Sequence, residues 1–305
     1  MSNLKKYWVA ILAFVVLFGG TMSVQAEVKA PAVYIAVGDS LAVGQTPNSQ
    51  IDTGYSDLIA QELASHQPVA FYSKNLAFPG FTTEDVLERV QSPEAKEVLS
   101  AANIITLSAG ANDLLRLVQS DPTKGTLVFQ QIQADFALNK ARLNMETILA
   151  ELKKTAPQAD IYIMGYYFAY PHVRDSQKEG TAMQLDRLNT ILEQSAEKAG
   201  ATFVAVDEAF GDNGTDKVPN PADVHPNVKG YQAMANAFLD MYQQGWNVED
   251  QELPAADPKT FEEIIQEQEQ NGDEEADGQN DVSSATPHSQ LDDHYLALRE
   301  AIPYV

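Results

Sequence analysis

A three-layer αβα fold, with helices on both faces of a five-stranded parallel sheet, is predicted by three features of this 305-residue sequence. Five short β-prone segments alternate with segments of helical apolar spacing, the signature of βαβ units. The first of them is apolar on consecutive positions, as in a strand buried on both faces. Three of the five run directly into turn motifs at their C-terminal ends, where open α/β sheets bind their ligands.

The first strand is Val33-Tyr34-Ile35-Ala36-Val37, which runs into Gly38-Asp39-Ser40, with helix-compatible chain following from Leu41. Tyr55, Leu58, Ile59 and Leu63 have amphipathic spacing and predict a helix over 55–66. Residues 69–76 form the second strand, ending at Phe78-Pro79-Gly80. Thr82 or Thr83 caps the next helix, with Glu84 and Asp85 favoured in its first turn by the helix dipole. Residues 103–108 are the third strand, ending in Gly110-Ala111-Asn112-Asp113. A long helix is expected over 127–155, stopped by Pro157. The fourth strand is 160–164, followed by an aromatic loop over 165–180 and a helix over 181–199 that closes at Gly200. The fifth strand is 202–206; a loop over 207–227 carries His225, and a last helix covers 228–242.

Charge and composition divide the rest. The net charge is −23, but residues 249–305 hold 16 acidic against two basic residues, so most of the acidity belongs to one end. No Lys/Arg cluster exists to meet phosphates, which excludes a nucleic-acid partner. Lys5 and Lys6 precede an apolar run over 7–19 that is too short to span a bilayer comfortably, and Val24-Gln25-Ala26 offers a cut. Residues 1–26 therefore read as a secretory signal, with no stable membrane span after cleavage. Zero cysteines in an exported chain fits a bacterial surface or extracellular setting. The folded domain is expected over 31–246. Residues 247–305 form an acidic, largely disordered tail, with a charged helix at 257–270 and regained apolar residues over 291–305.

Ser40, Gly80, Asn112 and His225 thus end up at strand C-termini or in adjacent loops. A serine taken alone reads as a helix cap; with a base and oxyanion donors nearby it reads as a nucleophile. The blocks Gly38-Asp39-Ser40-Leu41, Asn75-Leu76-Ala77-Phe78-Pro79-Gly80, Gly110-Ala111-Asn112-Asp113 and His225-Pro226-Asn227 with Gly230-Tyr231 resemble, in order and spacing, those of the SGNH hydrolases, or GDSL lipases and esterases. The resemblance covers about residues 31–244 and is most marked with secreted Gram-positive members, which share the opening through Pro47. It implies a flavodoxin-like sheet and a serine esterase or lipase. In that scheme Ser40 is the nucleophile, His225 the base, and the Ser40 N–H, Gly80 N–H and Asn112 amide the oxyanion donors. The family's acid usually stands three residues before the histidine, where this chain has Ala222; Asp223 stands two before it. Asp223 orienting the ring, a Ser-His dyad held by a backbone carbonyl, and a weakened site are all compatible with that shift.

Asp39 and Asp113 read as acids that hold their turns, and His172 is the rival base. Tyr166, Tyr167 and Phe168 are expected to line a substrate pocket, with apolar residues between Leu114 and Phe129 as a second wall. No metal or cofactor is implied: no His/Asp/Glu grouping has ligand spacing, and Gly38, Gly44 and Gly54 form neither a dinucleotide nor a phosphate loop. The expected substrate is a small-molecule or polymer-linked carboxylic ester of short or medium acyl chain. Alternatives are O-deacetylation of a cell-wall or environmental polysaccharide, and a non-catalytic surface-binding protein on the same fold.

Overall fold

The computed structural model describes residues 30–211, 214–260, 262–264 and 266. The expected signal segment, most of the expected tail, His288 and His294 lie outside the described residues. Strands β1 (Ala32–Gly38), β2 (Val69–Ala77), β3 (Ile104–Ser108), β6 (Asp160–Met164) and β7 (Thr202–Val204) form one parallel sheet in the order β2-β1-β3-β6-β7. This is the flavodoxin-like order, and it reverses direction beside β1. Tyr34, Ile35, Ala36 and Val37 of β1 and all five residues of β3 are buried, which explains the consecutive apolar residues of β1 and the mostly apolar β3.

The helices follow in chain order: α1 (Ser40–Val43), α2 (Tyr55–His66), α3 (Thr83–Gln91), α4 (Pro93–Ser100), α5 (Ala111–Leu115), α6 (Gln131–Thr155), α7 (Asp175–Ala199), α8 (Asp207–Phe210) and α9 (Val228–Tyr242). Several begin where side chains satisfy the free N–H groups of a first turn. Thr82 and Asp85 form a capping box on α3, and Asn227 caps α9 by accepting from the Gly230 N–H at 3.1 Å. Gly200, at φ +64°, closes α7.

Three expectations shift. The helix expected from residue 127 starts at Gln131, because 119–121 and 126–128 pair instead as a small antiparallel hairpin, β4 (Gln119–Asp121) and β5 (Thr126–Val128). The helix expected from 181 starts at Asp175 and runs through Gly180, where a side chain would meet open space. The first part of the expected tail is held on the domain. Val248 is buried and its backbone N–H and carbonyl both bond to the Asn236 side chain, and Lys259 bridges Ile51. Among the described residues no helix is long and apolar enough to cross a membrane.

Register sets what meets at the sheet's C-terminal edge. Gly38 lies level with Ala77 of β2 and Ser108 of β3. The three segments that follow, 39–40, 78–80 and 109–112, therefore leave the sheet side by side.

Candidate active site

Gly38 permits the turn that carries Ser40. Its φ is +142°, and a Cβ there would lie 2.1 Å from the Ser108 carbonyl oxygen. The Asp39 N–H donates to that same oxygen at 3.0 Å, so strand β3 is pressed directly against the turn. Gly38→Ala is expected to cost about 3–5 kcal/mol, combining a backbone clash with a disfavoured φ. A circular dichroism melt should show a fall in Tm of about 10 °C.

Asp39 is buried and caps α1. Its Oδ1 accepts from the Leu41 N–H (3.0 Å) and Ser108 Oγ (2.9 Å), and its Oδ2 from the Tyr166 hydroxyl (2.6 Å). Burial pushes its carboxyl above the ordinary range, and the Tyr166, Leu41 and Ser108 donors work against that shift. Ser40, next in line, is the first residue of α1, so its own N–H has no partner within the helix.

Ser40 Oγ lies 2.8 Å from His225 Nε2, although the two residues are 185 positions apart. On the other side of the ring, His225 Nδ1 lies 2.6 Å from Asp223 Oδ1. The same Oδ1 accepts the His225 backbone N–H at 2.8 Å. That is an Asx turn, and it folds the carboxylate of residue i onto the ring of residue i+2. The turn is set up by Asn220, whose Oδ1 accepts the Ala222 N–H and whose Nδ2 donates to the Pro47 carbonyl beyond α1. Gly230 lets this loop pack closely, since a Cβ there would come within 2.5 Å of Pro226. Tyr231 ties it to the Ser40 side, donating to the Gln45 carbonyl at 2.6 Å.

Phe78-Pro79-Gly80-Phe81 is a tight turn closed by Phe81 N–H to the Phe78 carbonyl at 3.2 Å. Proline second and Gly80 third at φ +80° is the type II pattern. A Cβ there would meet no protein atom, so within the fold it is the positive φ that demands glycine. Asn112 Nδ2 donates to the Phe81 carbonyl at 2.9 Å, which leaves its second amide hydrogen available. Arg116 donates to the Gly80 carbonyl at 2.7 Å, and Asp113 accepts the Thr83 N–H and hydroxyl, both at 2.8 Å. Asp113 is partly buried, which pushes its carboxyl up against those two donors. The two motifs are thereby stapled together at the edge where Ser40 emerges.

Tyr166 and Tyr167 are not among the residues that line the crevice beside the site. Both are buried: the Tyr166 hydroxyl goes to Asp39, and the Tyr167 hydroxyl donates to the Val224 carbonyl at 2.8 Å while its ring stacks on Phe210. Phe168 is half-buried. That open crevice lies between the β4–β5 hairpin, residues 169–173, and Asn220-Pro221, and Leu127 is what the apolar stretch over 114–129 contributes to it. His172 is engaged elsewhere, its Nε2 lying 2.8 Å from the Val218 carbonyl, which it can only approach as a donor. His66 pairs with Glu62 and stacks on Trp246. Among the described residues no group of three His, Asp or Glu could hold a metal ion.

The arrangement can therefore do one kind of chemistry well. A neutral His225 with its proton on Nδ1, facing Asp223, presents an Nε2 lone pair to the Ser40 hydroxyl. Sequence reasoning brought Ser40, Gly80, Asn112, Asp223 and His225 to attention. It did not find the supports Ser108 and Asn220, and it singled out Tyr166 and Tyr167 for a pocket rather than for their hydroxyl bonds, while Tyr231 stood within a quoted motif.

A sequence model described as the GDSL-like Lipase/Acylhydrolase family matches residues 36–233. The Bacillus subtilis (strain 168) protein YpmR, itself uncharacterized, is 24% identical over 216 residues, covering 69% of this chain and 81% of that protein. Among solved structures, the lipase Lip_vut3 from a goat rumen metagenome superposes with a TM-score of 0.55 at 18% identity, covering 70% of this chain and 97% of its own. A single-site variant of Axe2, an acetyl-xylooligosaccharide esterase of Geobacillus stearothermophilus, superposes with a TM-score of 0.52 at 20% identity, covering 71% of this chain and 96% of its own. At these identities the likeness is one of fold.

Proposed function

Because the chain belongs to the GDSL-like lipase/acylhydrolase family and is a carboxylic ester hydrolase, we propose that it cleaves esters of short or medium acyl chain through Ser40, His225 and Asp223. The observation that carries this reading is the unbroken line of contacts from Ser40 Oγ to His225 Nε2 (2.8 Å) and from His225 Nδ1 to Asp223 Oδ1 (2.6 Å). Ser40 Oγ bonds to the ester carbonyl carbon as its proton passes to Nε2. Negative charge moves to the former carbonyl oxygen, which the Ser40 N–H, the Gly80 N–H and the free Asn112 amide hydrogen stabilise. The imidazolium, held by Asp223, protonates the departing alcohol oxygen as the C–O bond breaks. A water then repeats the sequence on the acyl-enzyme, releasing the acid and restoring Ser40.

Ala222 in the usual acid position is the feature that would favour a binding-only protein. The Asx turn at Asp223 supplies a carboxylate to the ring in its place, which supports turnover. Lys5, Lys6 and the apolar run after them support export and, with it, an ester substrate outside the cell.

Hydrolysis of p-nitrophenyl acetate, butyrate, octanoate and laurate tests the substrate class. The expected rate peaks at butyrate or octanoate. Activity confined to acetate, with acetate released from an acetylated polysaccharide, would replace this reading with the deacetylase. Within the same assay Asn112→Ala should lower kcat by roughly 10²–10³ with little change in KM, since its amide acts on charge that develops only in the transition state.

A further inference from the structure

The first two aromatic residues after strand β6 each use a buried hydroxyl, and they use it on opposite halves of the site. Tyr166 reaches Asp39, the residue before Ser40, at 2.6 Å. Tyr167 reaches the carbonyl of Val224, the residue between Asp223 and His225, at 2.8 Å. Either ring would pack as well as a phenylalanine; only the hydroxyl makes these two connections. Burial pushes both phenols well above their ordinary range, so both stay protonated and donate.

The backbone between them is fixed. The Gly165 N–H donates to the Val204 carbonyl of β7 at 2.9 Å. The Asn189 side chain of α7 then grips Tyr166 at both ends, accepting its N–H at 2.9 Å and donating to its carbonyl at 2.8 Å. The Tyr167 ring stacks on Phe210 at 4.0 Å between centroids and 5° between planes. A rigid strand end therefore holds two struts of fixed length, one to the residue before each partner of the Ser40–His225 hydrogen bond.

We propose that Tyr166 and Tyr167 are positioning residues that set the Ser40–His225 separation, Tyr166 acting through Asp39 and Tyr167 through the Val224 carbonyl. This rests on the serine-hydrolase reading above. Loss of the Tyr166 hydroxyl removes from buried Asp39 Oδ2 the donor that aims the carboxylate capping α1. Loss of the Tyr167 hydroxyl frees the middle of the Asp223-Val224-His225 turn. A misplacement of about 1 Å between reacting groups can cost about 10²-fold in rate, so partial loosening should be readable in kcat.

The test compares Tyr166→Phe, Tyr167→Phe and the double variant with Tyr72→Phe. Tyr72 also spends its hydroxyl on a carboxylate and a serine, Asp57 and Ser56, within the α2–β2 packing rather than on the residues flanking Ser40 or His225. Each site variant should lower kcat on p-nitrophenyl butyrate about tenfold with KM within twofold, and the double about a hundredfold, because the two struts act on separate halves. Tyr72→Phe should lower Tm to a similar extent and leave kcat unchanged. If both site variants keep kcat within twofold of wild type while their Tm falls like that of Tyr72→Phe, the pair only packs and the proposal is overturned. A substrate-free readout separates this from failure of the hydrolase reading. The far-downfield proton resonance of His225 Nδ1–H, assigned by its loss in His225→Ala, should shift or broaden in Tyr167→Phe. An unchanged resonance overturns the strut even if wild-type protein hydrolyses no ester offered. A shifted resonance in a protein without esterase activity would uphold the strut and overturn the hydrolase reading alone.

Discussion

Ser40→Ala and His225→Ala should each reduce ester hydrolysis by about 10⁴-fold or more, leaving only what binding and the oxyanion donors supply. The effect is large because neither group has a substitute nearby. A serine hydroxyl at neutral pH is a weak nucleophile until a base takes its proton, and among the described residues the imidazole within reach of Ser40 Oγ is His225 at 2.8 Å. His172 is committed as a donor to the Val218 carbonyl, and His66 is stacked on Trp246 beside Glu62. Neither is positioned to take over. Fluorophosphonate labelling checks both variants on the folded protein: wild type labels, Ser40→Ala does not, and His225→Ala labels far more slowly. Near-wild-type turnover in His225→Ala would sink the base assignment.

The site was legible where a residue type was forced by a strand end. Gly38, Gly80 and Gly110 all sit at positive φ at or just past the ends of β1, β2 and β3, and such glycines punctuate a sequence visibly. Strand β6 and helix α9 fall where their flanks put them, after Pro157 and after the Asn227 cap. The β4–β5 hairpin was not legible, because three-residue strands are too short to show an alternation. The early start of α7 was hidden by Gly180. A glycine there costs only about 1 kcal/mol against alanine, which a 25-residue helix with good tertiary packing tolerates. The aromatic run after β6 misled for a different reason. Tyrosines past a strand's C-terminal end read equally as pocket walls or as buried donors. What decides is where their hydroxyls end, which is a property of partners 127 and 57 residues away in the chain.

Asp223→Ala and Asp223→Asn should both lower kcat by roughly 10³–10⁴, with KM little changed. In the alanine variant nothing accepts the Nδ1 proton, and the imidazolium formed during attack loses its counter-charge. The asparagine variant keeps the shape but can offer its amide N–H to the ring, which favours the tautomer with the proton on Nε2, facing Ser40. The backbone also excludes a simple relocation of the acid. Ala222 is exposed, and its N–H is spent on Asn220 Oδ1, so its side chain is not the one the turn folds onto the ring. Ala222→Asp placed in the Asp223→Ala background should therefore fail to restore activity. A Ser-His dyad predicts the opposite pattern, with Asp223→Ala losing less than about tenfold. The measured ratio of kcat values decides between them, because in this chain the acid reaches the ring by an Asx turn that only the residue two before His225 can form.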